Sequence, residues 1–382
     1  MKQAQRPRVA VIGTRGYPSF YGGFETLLRS LIPYLAAHDW NVDVYCRPEV
    51  DRLPTSEQPE IDGVRQLFTS GIETKKLSTL SYGFTSTIKV ISSRCERPEA
   101  ALIMNVANGF WIPLLRLRGI PTVVNVDGIE WERAKWGRLA KAAFRLGAQL
   151  TATYATDLVF DSKHIAKIWE SQFSRSGNFI PYGATESFEV LHDTKFAKGT
   201  YVLYVARLVP ENSIEPFIDA ATTISRHHPV VVVGSSGYGG EVEKRLESIA
   251  RHNDNIHWLG HIRNDSELFS LWANAGVYFH GHSVGGTNPA LVQAMACGSA
   301  IIARDTPYNR EVLEDGALYT EPTPEGIANT ILQVMRNDTL RTELSTKSLR
   351  RQKNEYTWNS VCADYNDALR RAVKASRVQP TR

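Results

Sequence analysis

The 382-residue sequence predicts an α/β protein made of two doubly wound domains, each built on a parallel sheet. Short β-branched runs alternate with helical patterns along the whole chain. These runs lack polar alternation, which is typical of strands buried on both faces of a parallel sheet. The alternation restarts after a loop-like stretch at 180–199. We therefore predict a first domain at 1–185, a second at 186–355, and a crossover helix with a basic tail at 356–382.

The first domain contains six predicted strands and several helical patterns between them. The strands are RVAVIG (8–13), NVDVYC (41–46), GVRQLF (63–68), AALIMN (100–105), TVVNV (122–126) and DLVFDS (157–162). The helical patterns cover 24–37, 77–92 and 133–146.

The second domain repeats this architecture without repeating the sequence. Its predicted strands are 201–207, 230–234, 256–260, 276–281 and 299–304, with helices at 213–227, 240–252, 265–274 and 289–297. Three more helical stretches follow at 324–336, 338–353 and 356–374, and the last is expected to pack back across the first domain. Two such domains are expected to face each other across a cleft, with ligands at the carboxyl ends of the strands.

The composition is that of a soluble globular protein, with 42% apolar and 22% charged residues. No apolar run reaches the roughly 20 residues of a membrane span, and the N-terminus passes straight into a strand. Four cysteines are scattered without metal-ligand spacing, namely Cys46, Cys95, Cys297 and Cys362. We therefore predict a cytoplasmic protein with buried, inert thiols.

Positive charge is concentrated in the segment 131–150, where five basic residues lie among apolar ones. A basic amphipathic helix can lie on an anionic membrane surface, which predicts a peripheral position on the inner face of the cell membrane. An ordinary helix with a solvated basic face is the alternative. The tail from Arg370 is also basic, but no recognition motif accompanies either segment, so nucleic acid is not an expected partner.

The loop GTRGYPSFYGGFET (13–26) follows the first strand and is longer than a dinucleotide fingerprint. Gly22 and Gly23 precede the helix and let main chain approach a substrate or diphosphate, while Arg15 supplies fixed positive charge. A tight turn that needs glycine only for its geometry is the alternative. Arg47, at the end of the second strand, leaves an NADP enzyme as a minor alternative.

The loop VNVDGIEWERAKWG (124–137) places Asp127 directly after a buried strand and Glu130 three residues later. A carboxylate at that edge can orient a sugar hydroxyl or accept a proton. Capping of the following helix by Asp127 is the alternative.

Arg207 ends a strand in the loop VARLVPEN (205–212). An arginine there can clamp a diphosphate and stabilise the charge that develops on it. The alternative is a surface ion pair with Glu211.

The stretch YFHGHSVGGTNPALVQAMACGSAIIARD (278–305) predicts a strand, a glycine-rich turn, a helix opening at Asn288 and Pro289, and a second strand. Free N–H groups and the dipole at such a helix start favour an anion. Asn288 is also a predicted N-cap. His280 and His282 precede the turn, but lone histidines are more often structural than catalytic.

Taken together, these loops resemble a GT-B glycosyltransferase of family 4. Within that family they are similar to the bacterial β-1,4-rhamnosyltransferase-like subgroup whose N-terminal domain begins GTRGxPxxYGGFET. The resemblance covers nearly the whole chain and rests on GTRGYPSFYGGFET, VDGIEWERAKWG, VARLVPEN and HSVGGTNPALVQAMACG, in that order.

The resemblance implies a retaining transfer from a nucleotide diphosphate sugar without a bound metal or other cofactor. It assigns catalytic roles to Asp127, on the acceptor side, and to Arg207, on the donor diphosphate. The donor-binding set is Arg15, Gly22, Gly23, Asn212, Gly285, Gly286, Thr287, Asn288 and Gln293, and we place Glu130 and Tyr82 on the acceptor side.

Three positions depart from the family pattern. Gly285 and Gln293 stand where many members carry glutamates, the second of which binds the ribose diol, and Asn212 replaces a common lysine. A neutral Gln293 suits a dTDP-sugar, because its deoxyribose presents one hydroxyl fewer. The same departure also fits a weakened or inactive enzyme.

The leading expectation is therefore a rhamnosyltransferase that uses dTDP-L-rhamnose to extend a glycan or lipid-linked acceptor in cell-surface polysaccharide synthesis. A nucleotide-sugar epimerase on the same fold would turn over without an acceptor. A non-catalytic sugar-nucleotide binding protein would bind the donor without hydrolysis or transfer.

Overall fold

The computed structural model describes residues 6–19, 22–48, 61–74, 77–93, 96–133, 136–191, 195–237 and 239–378. The chain divides into two compact units. The first comprises Met1–Pro181 together with Trp358–Arg382, and the second comprises Tyr182–Thr357. Cys95 lies outside the described residues.

The first unit is built on a parallel sheet of seven strands in the order β3-β2-β1-β4-β5-β6-β7. The strands are β1 (Arg8–Ile12), β2 (Asn41–Cys46), β3 (Val64–Phe68), β4 (Ala100–Met104), β5 (Thr122–Asn125), β6 (Asp157–Phe160) and β7 (Asn178–Phe179). Its helices are α1 (Gly23–Ala37), α2 (Ser78–Ser92), α3 (Ile112–Leu117), α4 (Arg138–Tyr154) and α5 (Lys163–Phe173). The strand order reverses between β1 and β4, which is where doubly wound sheets open a crevice at their carboxyl edge.

The second unit has a parallel sheet of six strands in the order β10-β9-β8-β11-β12-β13. The strands are β8 (Val202–Val205), β9 (Val230–Val233), β10 (Ile256–Trp258), β11 (Val277–His280), β12 (Ile301–Arg304) and β13 (Ala317–Thr320). Its helices are α6 (Ile214–Ile224), α7 (Glu241–His252), α8 (Asp265–Asn274), α9 (Pro289–Ala296), α10 (Pro307–Leu313), α11 (Pro324–Met335) and α12 (Asp338–Glu355). Here the order reverses between β8 and β11.

The last helix, α13 (Trp358–Val378), belongs to the first unit, as the predicted crossover requires. Its Asn366 accepts a hydrogen bond from the indole of Trp40 at 2.9 Å, and Arg370 donates to the carbonyl of His38 at 2.8 Å. These contacts fasten the end of the chain to the end of α1.

Several short elements differ from the sequence expectations. The basic helix begins at Arg138 rather than at the predicted residue 133, and Glu130–Glu132 form a separate turn of 3-10 helix. The predicted strand 157–162 ends at Phe160, because the Ser162 hydroxyl accepts from the amides of His164 and Ile165 and starts α5. The strands β7 and β13 and the helices α3, α5 and α10 were not predicted.

Among the described residues, none of the helices combines the length and apolar character that a membrane crossing needs.

Candidate functional site

In the second unit, the Arg207 loop and the glycine-rich turn are fastened together at the point where the strand order reverses. The hydroxyl of Ser213 donates to the carbonyl of Gly281 at 2.7 Å, and that of Ser283 donates to the carbonyl of Glu211 at 2.8 Å. A Cβ on Gly281 would overlap the backbone carbonyl of Asn212, so glycine is needed for this approach. The two predicted donor-binding loops therefore form one continuous edge.

Arg207 lies on this edge with an exposed side chain. Within the described part of the chain it makes no ion pair with Glu211, the alternative that the sequence left open. The buried Asn212 donates through Nδ2 to the carbonyl of Arg207 at 2.9 Å. Asn212 therefore holds the arginine loop, which differs from the direct donor contact that we expected of it.

The glycine-rich turn has the geometry of an anion site. Gly285 has a φ of 106°, and a Cβ there would meet no atom within 4 Å, so the backbone faces open space. Asn288 caps α9 by accepting from the amide of Ala290 at 2.9 Å, with Pro289 in the first turn, which confirms the predicted N-cap. Gly286 and the buried Thr287 complete the turn. Remaining amides at this helix start can meet an anion.

Gln293 faces the backbone of its own unit. Its Oε1 accepts from the amide of Thr185 at 2.9 Å, and its Nε2 donates to the carbonyl of Thr185 at 3.0 Å. The side chain is 8% exposed. The amide is thus already paired on both of its polar atoms, and the structure does not turn it toward the glycine turn, where the sequence placed it.

Two stacked histidines lie beneath the same edge. The rings of His280 and His282 are 4.3 Å apart between centroids and nearly parallel, and the hydroxyl of Tyr278 lies 2.9 Å from Nδ1 of His280. Burial and the positive charge of Arg207 lower the pKa of His282 to about 3, and burial with His282 lowers that of His280. Both rings are therefore neutral near pH 7, which agrees with a structural role.

In the first unit, the loop after β1 is held by Glu25, a residue that sequence reasoning did not single out. Its Oε1 accepts from the amide of Arg15 at 3.0 Å and from the hydroxyl of Thr14 at 3.2 Å. Gly22 is the N-cap of α1 with a φ of 114°, and Gly23 is the first residue of that helix. The spacing of Glu25 three residues after a helix start was the available signal, because a glutamate there often folds back on its own helix end.

Asp127 follows β5 in the left-handed region, with a φ of 60°. Its Oδ2 accepts from Nδ2 of Asn105 at 3.1 Å, and its amide donates to Oδ1 of Asn125 at 2.9 Å. Asn125 in turn donates to the hydroxyl of Tyr365 on α13 at 2.6 Å. Asp127 is not the N-cap of the next helical turn, a place taken by Ile129. A half-buried carboxylate in this strained conformation is a candidate for function.

The carboxylate of Glu130 is buried and already paired, so it is not available to contact an acceptor. It is 4% exposed, its Oε1 lies 2.8 Å from Nε of Arg133, and its Oε2 accepts from the indole of Trp136 at 2.8 Å. It therefore supports the loop between β5 and α4.

Tyr82, the other predicted acceptor residue, is buried on α2 beneath the guanidinium of Arg47, which lies 5.0 Å from its ring centroid.

Among the residues that the structure describes, no group of three or more histidine, cysteine or acidic side chains is arranged to hold a metal ion. Cys46, Cys297 and Cys362 are buried, and none of these three is part of a disulfide. Burial raises the pKa of the Cys297 and Cys362 thiols to about 12, so these two are inert, as expected.

Two different protein families match the two parts of the chain. Residues 191–351 match the family "Glycosyl transferases group 1", and residues 6–185 match "Domain of unknown function (DUF1972)". O-antigen chain mannosyltransferase B of Escherichia coli is 24% identical over 199 residues, which are 51% of this chain and 52% of that protein. The chain thus spans about half the length of the curated relatives it matches.

Two solved structures resemble nearly the whole chain. Sucrose-phosphate synthase from Thermosynechococcus elongatus has a TM-score of 0.82 at 17% identity, covering 97% of this chain and 100% of that one. Anabaena HepE in complex with UDP and glucose has a TM-score of 0.72 at 14% identity, covering 95% and 99%. Likeness at these identities shows the fold. The two family matches therefore correspond closely to the two units, and the likeness to the solved structures shows the GT-B fold.

Proposed function

We propose that this protein is a retaining glycosyltransferase that transfers L-rhamnose from dTDP-L-rhamnose to a glycan or lipid-linked acceptor in cell-surface polysaccharide synthesis. The observation that carries the proposal is the exposed Arg207 on a loop that is hydrogen-bonded to the segment leading into the glycine-rich turn and α9. This edge offers a cation and backbone amides to a diphosphate. The match of residues 191–351 to the glycosyl transferases group 1 family supports the same reaction class.

In the proposed reaction the acceptor oxygen attacks the anomeric carbon on the face that the diphosphate leaves. The bond between that carbon and the acceptor oxygen forms as its bond to the diphosphate oxygen breaks, and the diphosphate oxygen takes the acceptor's proton. No separate base is then required. Arg207 and the turn amides stabilise the negative charge that develops on the leaving group, a contribution that is usually large in such reactions.

Asp127 is proposed to orient the acceptor hydroxyl. Its Oδ2 is held by Asn105, and its backbone position is held by Asn125. A hydroxyl that is already held in attacking geometry reacts faster, because its translational and rotational entropy is lost on binding and not in the reaction step.

The identity of the donor is inferred from Gln293. Gln293 has an amide in place of a carboxylate, and both polar atoms of this amide are hydrogen-bonded to Thr185. It therefore offers no carboxylate to a ribose diol. A deoxyribose has one hydroxyl fewer than ribose and therefore needs fewer hydrogen-bond partners from such a site. HepE was solved with UDP, so UDP-sugars are the natural competitors in a test.

The test is nucleotide release from dTDP-rhamnose, UDP-glucose, UDP-GlcNAc and GDP-mannose, each with lipid-linked acceptors. We expect dTDP-rhamnose to be turned over fastest, and equal or faster turnover of a UDP-sugar would contradict the donor assignment. Donor conversion without an acceptor would indicate an epimerase. Donor binding with neither hydrolysis nor transfer would indicate a binding protein.

Two variants test the roles of the site residues with the preferred donor. Arg207→Ala is expected to lower kcat by about 10²–10³-fold, the usual effect of removing a group that stabilises developing charge, whereas Arg226→Ala, an exposed arginine of the same unit, should not. Asp127→Asn should abolish transfer and leave the fold intact. Asp39→Asn is its matched control, because Asp39 is exposed and shares the left-handed backbone, with a φ of 63°.

The proposal also includes catalysis without a bound metal. Exhaustive treatment with EDTA is therefore expected to leave the transfer rate unchanged. A rate that falls with EDTA and returns with added Mg²⁺ or Mn²⁺ would contradict this part of the proposal.

Membrane attachment is proposed for α4, the basic helix. It carries no acidic residue, and one exposed face combines Arg138 and Arg145 with Leu139 and Leu146, which are 90% and 52% exposed. An anionic bilayer meets both the charge and the apolar side chains of such a face. Co-sedimentation with vesicles containing anionic lipid should be lost in Leu139→Asp/Leu146→Asp and kept in Leu117→Asp, and attachment that ignores lipid charge would contradict it.

A further inference from the structure

An apolar groove opens on the first unit, between α2 and the 3-10 helix Val106–Trp111. Its volume is about 320 Å³, and its walls are almost entirely apolar. The lining side chains are Ile72, Leu77, Leu80, Phe84, Phe110 and Trp111, with Ser81 among them. Large apolar side chains that stay exposed together are typical of a binding surface.

The walls of this groove are held in place from behind. The indole of Trp111 donates to the carbonyl of Leu80 at 3.1 Å, and its ring lies 4.8 Å from that of Phe84. A Cβ on Gly83 would overlap the side chain of Asn108, so glycine at this position lets that side chain pack directly against the backbone of α2. The amide of Ile72 donates to the hydroxyl of Ser81 at 2.9 Å. The groove is therefore a formed feature rather than a gap between loose side chains.

Two arginines lie near Tyr82, the residue that follows the groove in the chain. Tyr82 follows the groove residue Ser81, and the Arg47 guanidinium lies over its ring. Burial and the nearby charge of Arg15 lower the pKa of Arg47, while Glu73 and Glu25 act in the opposite sense.

Arg47 directly follows β2, and Arg15 lies in the loop after β1, so both share the carboxyl edge of the sheet with Asp127, which lies in the loop after β5. A ligand that reaches from the groove to these arginines would approach the edge that carries Asp127.

We propose that the groove receives the hydrocarbon chain of a phosphate-bearing lipid whose headgroup lies toward Arg47 and Arg15. The inference rests on the proposed function, since it names the lipid-linked acceptor as the ligand of this face. The apolar groove suits the hydrocarbon chain of such a lipid, and the guanidinium groups of Arg47 and Arg15 suit its phosphate. Ile72 and Phe84, on the rim of the groove, are 55% and 41% exposed, so the groove is open to a hydrocarbon chain that enters from solvent.

The experiment uses the full chain and n-alkyl phosphates of eight, ten and twelve carbons, each kept below its micelle concentration. Affinity is measured calorimetrically, and chains brominated at their end should quench the fluorescence of Trp111. We expect each added methylene to tighten binding by up to about fourfold until the groove is full. Trp111→Phe should remove most of the quenching, because the other tryptophans do not line the groove.

Ile72→Asp and Phe84→Asp are expected to weaken binding of the dodecyl phosphate at least tenfold. Leu117→Asp, on a residue that is 81% exposed and outside the groove, is the matched control and should bind as the parent does. Thermal unfolding of all three variants checks that they fold. Affinity that is independent of chain length, or unchanged in both groove variants, would overturn the proposal. So would quenching that appears only with vesicles, since that result indicates docking on a bilayer surface.

Binding of alkyl phosphates does not depend on catalysis, so the two proposals can fail separately. If no donor is turned over but the chain-length dependence is present, the proposed function is wrong and the groove stands. If transfer to a short, water-soluble acceptor proceeds equally in Ile72→Asp and the parent, and alkyl phosphates do not bind, the groove proposal is wrong alone.

Discussion

Gln293 shows how a neutral amide can do at one position what a carboxylate cannot. It accepts from the amide of Thr185 and donates to the carbonyl of the same residue. A glutamate would keep the first hydrogen bond. In place of the second, its other carboxylate oxygen would face and repel the carbonyl oxygen of Thr185. The backbone of Thr185 is therefore matched to an amide at position 293 rather than to a carboxylate.

We therefore predict that Gln293→Glu lowers the free energy of unfolding by about 1–3 kcal/mol, the usual cost of an unsatisfied buried polar group. Urea denaturation at pH 7.5 measures it, with Gln333→Glu as the control, because Gln333 is exposed on α11 of the same unit. A variant that is equally stable and gains transferase activity would instead indicate that the parent is a weakened enzyme.

The stacked histidines predict how stability depends on pH. The pKa of His282 is about 3 in the folded chain, because of burial and Arg207, against an ordinary value of about 6.5 when unfolded. Between these values the unfolded chain binds more protons than the folded one, so stability falls as pH falls from about 6.5 toward 3. Tyr278, Arg207 and the neutral His280 are the groups that face or adjoin this ring.

His282→Gln is expected to make the free energy of unfolding less dependent on pH in that window than in the parent. Urea denaturation at pH 7.5, 6.5, 5.5 and 4.5 provides the comparison. His227→Gln, on an exposed histidine of the same unit, should keep the slope of the parent. An unchanged slope in His282→Gln would mean that His282 is protonated in the folded chain.

At the scale of secondary structure elements, both units close a loop with a glutamate in the first turn of a helix. Glu25 of α1 accepts from Thr14 and Arg15. Glu243 of α7 accepts from Ser235, Ser236 and Gly240. Burial acts to raise the pKa of Glu243, but these hydrogen bonds outweigh it and hold the pKa below its usual value. The same device thus positions a loop at the carboxyl edge of each sheet.

Because Glu243 accepts three hydrogen bonds and Glu25 two, Glu243→Ala should destabilise the chain more than Glu25→Ala. We expect losses of about 1–3 kcal/mol, since each substitution leaves backbone amides of a loop unsatisfied. Thermal and urea unfolding measure the difference. Glu241→Ala, on the exposed first residue of α7, is the control and should lie within about 0.5 kcal/mol of the parent.

Elements with a strong sequence pattern were predictable, and elements with a weak pattern were not. The helix α8 was predicted at its observed bounds of Asp265–Asn274, because Asn264 caps it and its pattern is continuous. The strand β7 has only two residues, and β13 has the sequence ALYT, which lacks a run of β-branched residues. The pattern at 131–150 was basic and amphipathic as a whole, yet its first part forms the loop that Glu130 supports.

At the scale of the whole molecule, α13 brings the end of the chain to the candidate site of the first unit. The hydroxyl of Tyr365 accepts from Asn125, whose other amide atom accepts from the backbone of Asp127. Tyr365 is 1% exposed, so its hydroxyl has no solvent to replace this partner. The helix therefore positions a residue of the site without belonging to it.

Tyr365→Phe is expected to cost about 1–3 kcal/mol of stability and to lower kcat for transfer more than it changes donor KM, because it frees Asn125 and loosens Asp127. Steady-state kinetics and urea unfolding measure the two effects. Tyr154→Phe is the control, since its hydroxyl makes no hydrogen bond to the residues that the structure describes. A loss of stability with unchanged kcat would show that Tyr365 acts on the fold alone.

The sequence by itself determined the two parallel-sheet units, the returning helix, the capped start of α9 and the loop positions of Arg207 and Asp127. These follow from hydrophobic periodicity and from capping chemistry, which act over a few neighbouring residues. Only the tertiary structure decided the partners of the polar side chains. Gln293 meets a residue 108 positions away, and Asn125 meets one 240 positions away. No local pattern encodes such pairs, because they depend on which strands and helices the fold brings side by side.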